Sequence, residues 1–232
     1  MPNKVVHFKS IGPVTFFRNR RSKNMKISVK PDKSVLISFP YFISEKEALS
    51  FLSKNETWIK TQQERVSERR KKYESGEVFS TKLHTVQLLS GSENDVETAG
   101  NVVKIYSDNF ESEKGRVFLD NILTQVFRYE ARTLLPPRIK TLALAHNFSF
   151  NKITIRNNKR NWGSCSSQNN ISLNLQMMKL PDHLIDYILL HELVHTEIKN
   201  HSEKFWKKLD QVSNGKAREL AGEVKKYSTY TI

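Results

Sequence analysis

Cysteine is almost missing from this chain: its 232 residues include one, Cys165. That excludes an internal disulfide, argues against a secreted cross-linked scaffold and rules out a zinc held by thiolates. Long apolar runs are missing too. No stretch approaches the roughly 20 apolar residues of a membrane span, and no early run resembles a signal peptide, so a soluble cytoplasmic protein is expected. Acid is in short supply, with 24 Asp and Glu against 38 Lys and Arg, a net charge of +14 and a pI near 9.8. Such an excess favours encounters with polyanions such as nucleic acid, nucleotides or acidic proteins, and it equally serves plain solubility. Internal repeats and low-complexity tracts are absent. With 38% hydrophobic residues, the chain can bury one substantial core or two smaller ones.

What is present reads first as strands. Met25, Ile27 and Val29 alternate with polar residues, and Val35, Ile37 and Phe39 do the same across Pro31-Asp32-Lys33, which predicts a hairpin with one buried face. Ser44 followed by Glu47 is a capping-box signature. Ala48, Phe51, Leu52, Trp58, Ile59 and Val66 then recur at helical spacing and predict one long helix ending in Arg69-Arg70-Lys71-Lys72, basic residues that suit the negative end of a helix dipole. Short strands follow over 78–89 and 102–106 around a polar loop at 90–101. From Leu119 the period becomes helical, with Ile122, Leu123, Val126, Phe127, Ala131 and Leu134. Pro136-Pro137 is expected to end that helix and a second to restart at once, with Ile139, Leu142 and Ala143 on its apolar face. The change of period sets a domain boundary near residue 116. Alternation around Ile153 and Ile155, and again at Ile171, Leu173 and Leu175, predicts two short strands. The last two helices carry Phe205, Trp206, Leu209 and Val212, and then Ala217, Leu220, Ala221 and Val224, with Asn214-Gly215 turning between them.

The chemistry is concentrated in His191-Glu192-Leu193-Val194-His195. Residues four apart lie one helical turn apart, so both imidazoles project from one face toward a single ion. Glu192 lies about 100° around the helix from His191, an offset that lets its carboxylate miss the metal and face a water, as a general base must. Ile188, Leu189, Leu190, Leu193 and Val194 occupy most of the remaining circumference and predict a buried helix. A catalytic zinc normally has three protein ligands. His201, six residues on, can return to the metal if the helix stops first; Asn200 suits the left-handed conformation that ends many helices, and Ser202 with Glu203 suits the start of another. The competing third ligand is a carboxylate from the last helix, Glu219 or Glu223.

The runs Arg160-Asn161-Trp162-Gly163-Ser164-Cys165 and Asn170-Ile171-Ser172-Leu173-Asn174, the metal motif, and Asn200-His201-Ser202 with Phe205-Trp206 together resemble the YgjP-like metallopeptidases, relatives of the WLM and SprT-like zinc peptidases. The N-terminal hairpin, Trp58-Ile59 and Ser75-Gly76-Glu77 resemble that family's strand-rich amino-terminal region. The resemblance implies that His191, His195 and His201 bind zinc and that Glu192 is the catalytic base. It also implies a zincin-like C-terminal domain. With the mixture of periods, the expectation is an α+β protein, with a strand-rich region carrying one long helix over 1–116 and the zincin-like domain with a small sheet over 117–232. One departure stands out: the family usually has Arg directly before Trp-Gly-Ser-Cys, and here Asn161 takes that place, with Arg160 one earlier. In such folds an extended substrate adds to an exposed sheet edge, and the strand at 171–175 is the expected edge.

The remaining reactive residues read as structural. Cys165 has no evident base and is expected to pack, and Trp162 is expected in the core or anchoring its loop. His7, His84, His146 and His183 lack ligand spacing, and Arg156, Lys159 and Arg160 form a basic loop open to a carboxylate, a phosphate or water. The primary expectation is a zinc-dependent peptidase acting on peptide or protein. Two alternatives keep the residues and change the function: a metal-dependent nucleotide hydrolase, and a nucleic-acid-binding module with a structural metal site. A peptidase recruited to DNA by its basic surface combines the first and the last.

Overall fold

A computed structural model describes residues 4–30, 33–68 and 72–229, with the side chains of 65–68 excepted. By contacts the chain forms two compact units, Met1–Lys71 and Lys72–Ile232.

The first unit is a four-stranded sheet and two helices. Strands β1 (Lys4–Phe8), β2 (Gly12–Arg18), β3 (Lys26–Val29) and β4 (Val35–Phe39) take the order β1-β2-β4-β3. The expected hairpin is the antiparallel β3–β4 pair, with Ile27 opposite Ile37 and Val29 opposite Val35; Pro31 and Asp32 lie outside the described residues. Val35, Ile37 and Phe39 are buried, with Ala48, Leu52 and Ile59 packed among them. The capping box at Ser44 and Glu47 is formed in both directions. The single long helix expected next is two, α1 (Glu45–Lys54) and α2 (Glu56–Glu68). Asn55 divides them: its backbone N–H bonds Leu52 O and its side-chain amide bonds Phe51 O at 2.7 Å, closing α1 locally. The basic run at 69–71 and the side chain of Val66 lie outside the described residues.

The second unit opens with another four-stranded sheet, β5 (Val78–Ser80), β6 (Thr85–Ser90), β7 (Asp95–Ala99) and β8 (Val102–Ser107), in the order β5-β6-β8-β7. Its order and directions repeat those of the first sheet, each having two antiparallel outer pairs around a parallel central pair. Strand β7 falls in the expected polar loop because every one of its residues is exposed, so it has no alternation to show. Helix α3 (Glu113–Ala145) then runs unbroken through Pro136 and Pro137. Each proline costs a helix interior about 3 kcal/mol, but Leu135 and Ile139 are fully buried on either side of the pair and Arg138 binds Asp186 across to the next long helix. Tertiary packing outweighs the local penalty.

Val86, Leu88, Val103 and Ile105 of the second sheet share one core with Leu119, Leu123 and Ile139 of α3. That shared core is why the compact units divide after Lys71, earlier than the boundary near residue 116. Three further strands, β9 (Lys152–Arg156), β10 (Gly163–Cys165) and β11 (Asn170–Asn174), form a sheet in the order β10-β11-β9. A 3-10 turn, Leu175–Lys179, leads into α4 (Asp182–Glu197), α5 (Glu203–Val212) and α6 (Ala217–Val224). The architecture is α+β, as expected from the sequence. Among the described residues no helix is long and apolar enough to cross a membrane.

Candidate metal centre

Helix α4 is buried on most sides, with Leu184, Ile185, Ile188, Leu189, Leu193 and Val194 all in the core. It packs against β10, α3, α5 and α6, so its histidine face opens onto a space that other elements complete. The helix ends at Glu197, and Ile198 leaves it in an extended conformation. The expected left-handed break at Asn200 is absent: its φ is not positive. Asn200 instead accepts a bond from the Ser202 N–H at 3.3 Å, tightening the turn. Ser202 does occupy the N-cap of α5, without a side-chain cap bond, and Glu203 sits in the first turn.

The turn returns His201 to α4. Its Nε2 lies 3.1 Å from His191 Nε2 and 3.2 Å from His195 Nε2. The three histidines form a cluster whose ligand atoms could hold one metal ion. Two tetrahedral ligands with metal–nitrogen bonds of ~2.0–2.1 Å sit about 3.3 Å apart, close to the spacing here. The tautomer of His195 agrees with ligation. A carbonyl oxygen can only accept, so the 2.9 Å contact to Ile198 O makes His195 Nδ1 the donor and leaves Nε2 with its lone pair. Burial, with His195 and His201 adding to it, lowers the His191 pKa to about 3, so that ring is a neutral donor. Burial lowers the His195 pKa as well.

Neither alternative carboxylate joins the cluster. Glu223 accepts from His183 Nε2 at 3.1 Å instead, and among the described residues Glu219 is not grouped with the histidines. Glu192 is 5% exposed, and its Oε2 has no hydrogen-bond partner. Burial raises its pKa to about 8. An orphaned carboxylate beside three imidazole donors is a polar deficit that a bound cation would relieve. The residues therefore fit a divalent metal.

Three residues to which the sequence assigned no role in the site complete it. Phe205, fully buried, touches all three imidazoles: its ring centroid lies 4.9 Å from His191, 4.5 Å from His195 in a stacked pose, and 4.8 Å from His201. Its position four residues after His201, on the next helix, was the available signal. Gly163 on β10 lies over the carboxylate, where an added Cβ would stand 2.6 Å from Glu192 Oε1 and 2.7 Å from its Cγ. Asn174, 1% exposed, donates to the carbonyls of Asn158 and Asn161 and accepts from the Gln176 N–H. It thereby fixes the loop that delivers Trp162 and Gly163.

The other singled-out residues stand apart from the cluster. His84 Nδ1 contacts the buried Glu130 carboxylate at 2.9 Å, His146 packs beside Phe148, and His7 is exposed on β1. Cys165 packs against the core from β10, its thiol pKa pushed up chiefly by burial. Trp162 packs against the core and also lines the cavity beside the histidines. The expected substrate edge at 171–175 is corrected by the sheet order: β11 is the central strand, flanked on both sides, and β10 is the edge beside α4.

A helix-borne pair of imidazoles, a third from the following turn and a buried carboxylate in the same helix are the groups that hydrolytic metal sites use. The chain belongs to the YgjP-like family: that family's metallopeptidase-domain model matches residues 23–225. No curated protein matches it. Two solved structures resemble part of it. The metallopeptidase zymogen abylysin of Pyrococcus abyssi is 22% identical over 40% of this chain and 93% of its own, with a TM-score of 0.37. The zymogen jannalysin of Methanocaldococcus jannaschii is 28% identical over 39% of this chain and 92% of its own, with a TM-score of 0.34.

Proposed function

We propose that this protein is a zinc-dependent peptidase in which His191, His195 and His201 hold the ion and Glu192 is the general base. The observation that carries the reading is the convergence of three Nε2 atoms beside the unpartnered oxygen of Glu192. A bound zinc supplies Lewis-acid polarisation of the scissile carbonyl. Glu192 takes the proton of the attacking water and returns it to the leaving amine. Its burial suits a group that must hold a proton between the two steps, and Gly163 leaves the carboxylate room against the strand above it. The catalytic part lies in the zincin-like portion, 117–232.

Strand β10 has one sheet neighbour, β11, which supports its unpaired side as the edge along which an extended peptide would add. Peptides N-methylated on the backbone near the cut should then be cleaved at least tenfold more slowly than their parents, since each loses a donor. Equal rates would exclude the edge as the substrate's seat. On the single cysteine we also propose a cytoplasmic setting.

Neither alternative function gains support from the family. The cavity beside the metal centre combines apolar side chains with Arg218 and Lys225, and it is the family, a metallopeptidase one, that favours a peptide over a phosphoanhydride. A purely structural site has no use for an orphaned carboxylate, and nucleic acid as a partner gains no support from the family. Elemental analysis of the purified protein tests the ligand set. About one zinc per chain is expected, lost in His201→Ala, together with cleavage of an unfolded protein that stops on chelation and returns with zinc. Zinc retained in full by His201→Ala would refute the third ligand.

A further inference from the structure

A cavity of about 490 Å³ opens beside His191, Glu192 and His201. The apolar part of its wall is formed by Trp162, Tyr187, Ile188, Trp206 and Val224. Gly222 of α6 also lines it. Glycine is unfavourable within a helix, yet a Cβ added at Gly222 would meet nothing within 4 Å. The missing side chain leaves that space open. Volume and lining together suit one large apolar side chain.

Two cations stand at this apolar space, Arg218 and Lys225. The guanidinium carbon of Arg218 lies 3.6 Å from the Trp206 ring centroid, and that ring in turn packs against His201 at 6.3 Å. Stacking holds the planar fork in one orientation while its N–H donors stay available. Two carboxylates of the neighbouring helices are engaged elsewhere, Glu223 with His183 and Asp210 with the Ala217 N–H. Among the described residues no ion pair includes Arg218 or Lys225.

We propose that the cavity takes a large apolar side chain of the substrate while Arg218, a specificity-determining residue, takes a carboxylate carried by the same peptide. The ligand class is thus an apolar–acidic peptide segment. Its carboxylate comes either from an Asp or Glu side chain or from the chain's own C-terminus. The inference rests on the peptidase reading only for the cleavage step; occupancy of the cavity can be measured alone.

The test uses zinc-loaded Glu192→Gln, titrated by tryptophan fluorescence with three blocked peptides of one sequence. One has Phe followed by Glu and an amidated end, one has Phe followed by Gln and an amidated end, and one has Phe followed by Gln and a free carboxylate. At least one acidic peptide should bind on the order of tenfold more tightly than the neutral amide, as for a charge-assisted bond to Arg. Whichever gains identifies the source of the carboxylate. Arg218→Gln should collapse that ratio. Gly222→Leu, which fills the open space, should weaken every Phe peptide and spare its Gly counterpart, and thermal unfolding of each variant verifies the fold. Equal affinity for all three peptides, binding of none, or a ratio untouched by Arg218→Gln would overturn the proposal. Discrimination in binding without cleavage by the wild type would sink the peptidase reading alone, whereas cleavage without discrimination would sink the pocket alone.

Discussion

Gly163 and Glu192 are fitted to each other, one needing no side chain because the other is buried beneath it. An alanine at 163 places its Cβ within 2.8 Å of three atoms of the Glu192 side chain. Gly163→Ala should therefore push the carboxylate from its place, lowering peptide cleavage at least tenfold and costing about 1–3 kcal/mol of stability by overpacking. Zinc content should hold, because no ligand is touched; kinetics, denaturant unfolding and elemental analysis together check this. His191 and His195 were legible as a pair because helical period alone brings residues four apart to one face. The parts played by Gly163 and Asn174 were not, because each acts on residues that only the fold brings near; Phe205, four residues after His201, did carry a signal in its spacing. That His201 returns to the two helical histidines was legible, but the means of its return was not: the helix stops at Glu197 and His195 holds the Ile198 carbonyl.

Helices α3 and α4 are joined by a cluster of charges that no spacing in the chain connects. Lys82 and Arg138 both pair with Asp182, and Arg138 also binds Asp186. The hydrogen bond from Lys82, helped by the charges of Lys82 and Arg138, holds the Asp182 carboxyl below its usual range. A depressed folded-state pKa means stabilisation that is present above the ordinary Asp value of about 4 and lost as pH falls through the folded one. Asp182→Asn should thus lose less stability than the wild type between neutral and strongly acid pH, as urea unfolding at the two pH values would reveal. Within α6, Gly222→Ala should stabilise the protein by about 0.5–1 kcal/mol, since its Cβ enters open space; an unchanged melting temperature would contradict that. Elements were legible where burial imposes a period, as in β4. They were misjudged where packing overrides local preference, as at Pro136-Pro137, or where no face is buried, as in β7. The one long helix expected after Ser44 failed at Asn55, whose side chain competes for the backbone.

At the scale of the whole molecule, the α+β class followed from the mixture of periods, whereas the arrangement of strands did not. Strand order depends on contacts distant in sequence, and nothing in the spacing of hydrophobic residues marks β2 as the parallel partner of β4, or β6 as that of β8. The boundary near 116 followed a change of period, but cores are assembled without regard to period: α3 buries Leu119 and Leu123 with Val86 and Ile105. All the groups of the candidate site fall within Lys72–Ile232. A fragment of those residues should fold cooperatively and bind about one zinc per chain; a fragment that is unfolded by circular dichroism would show that the first unit is required. The measurement that bears most directly on the central claim compares zinc-loaded wild type with Glu192→Gln on an unfolded protein substrate. Equal zinc content with cleavage reduced by about 10²–10⁴-fold in the variant is the expected result for a lost general base. Cleavage at the wild-type rate by Glu192→Gln, or none by a fully zinc-loaded wild type, would contradict it.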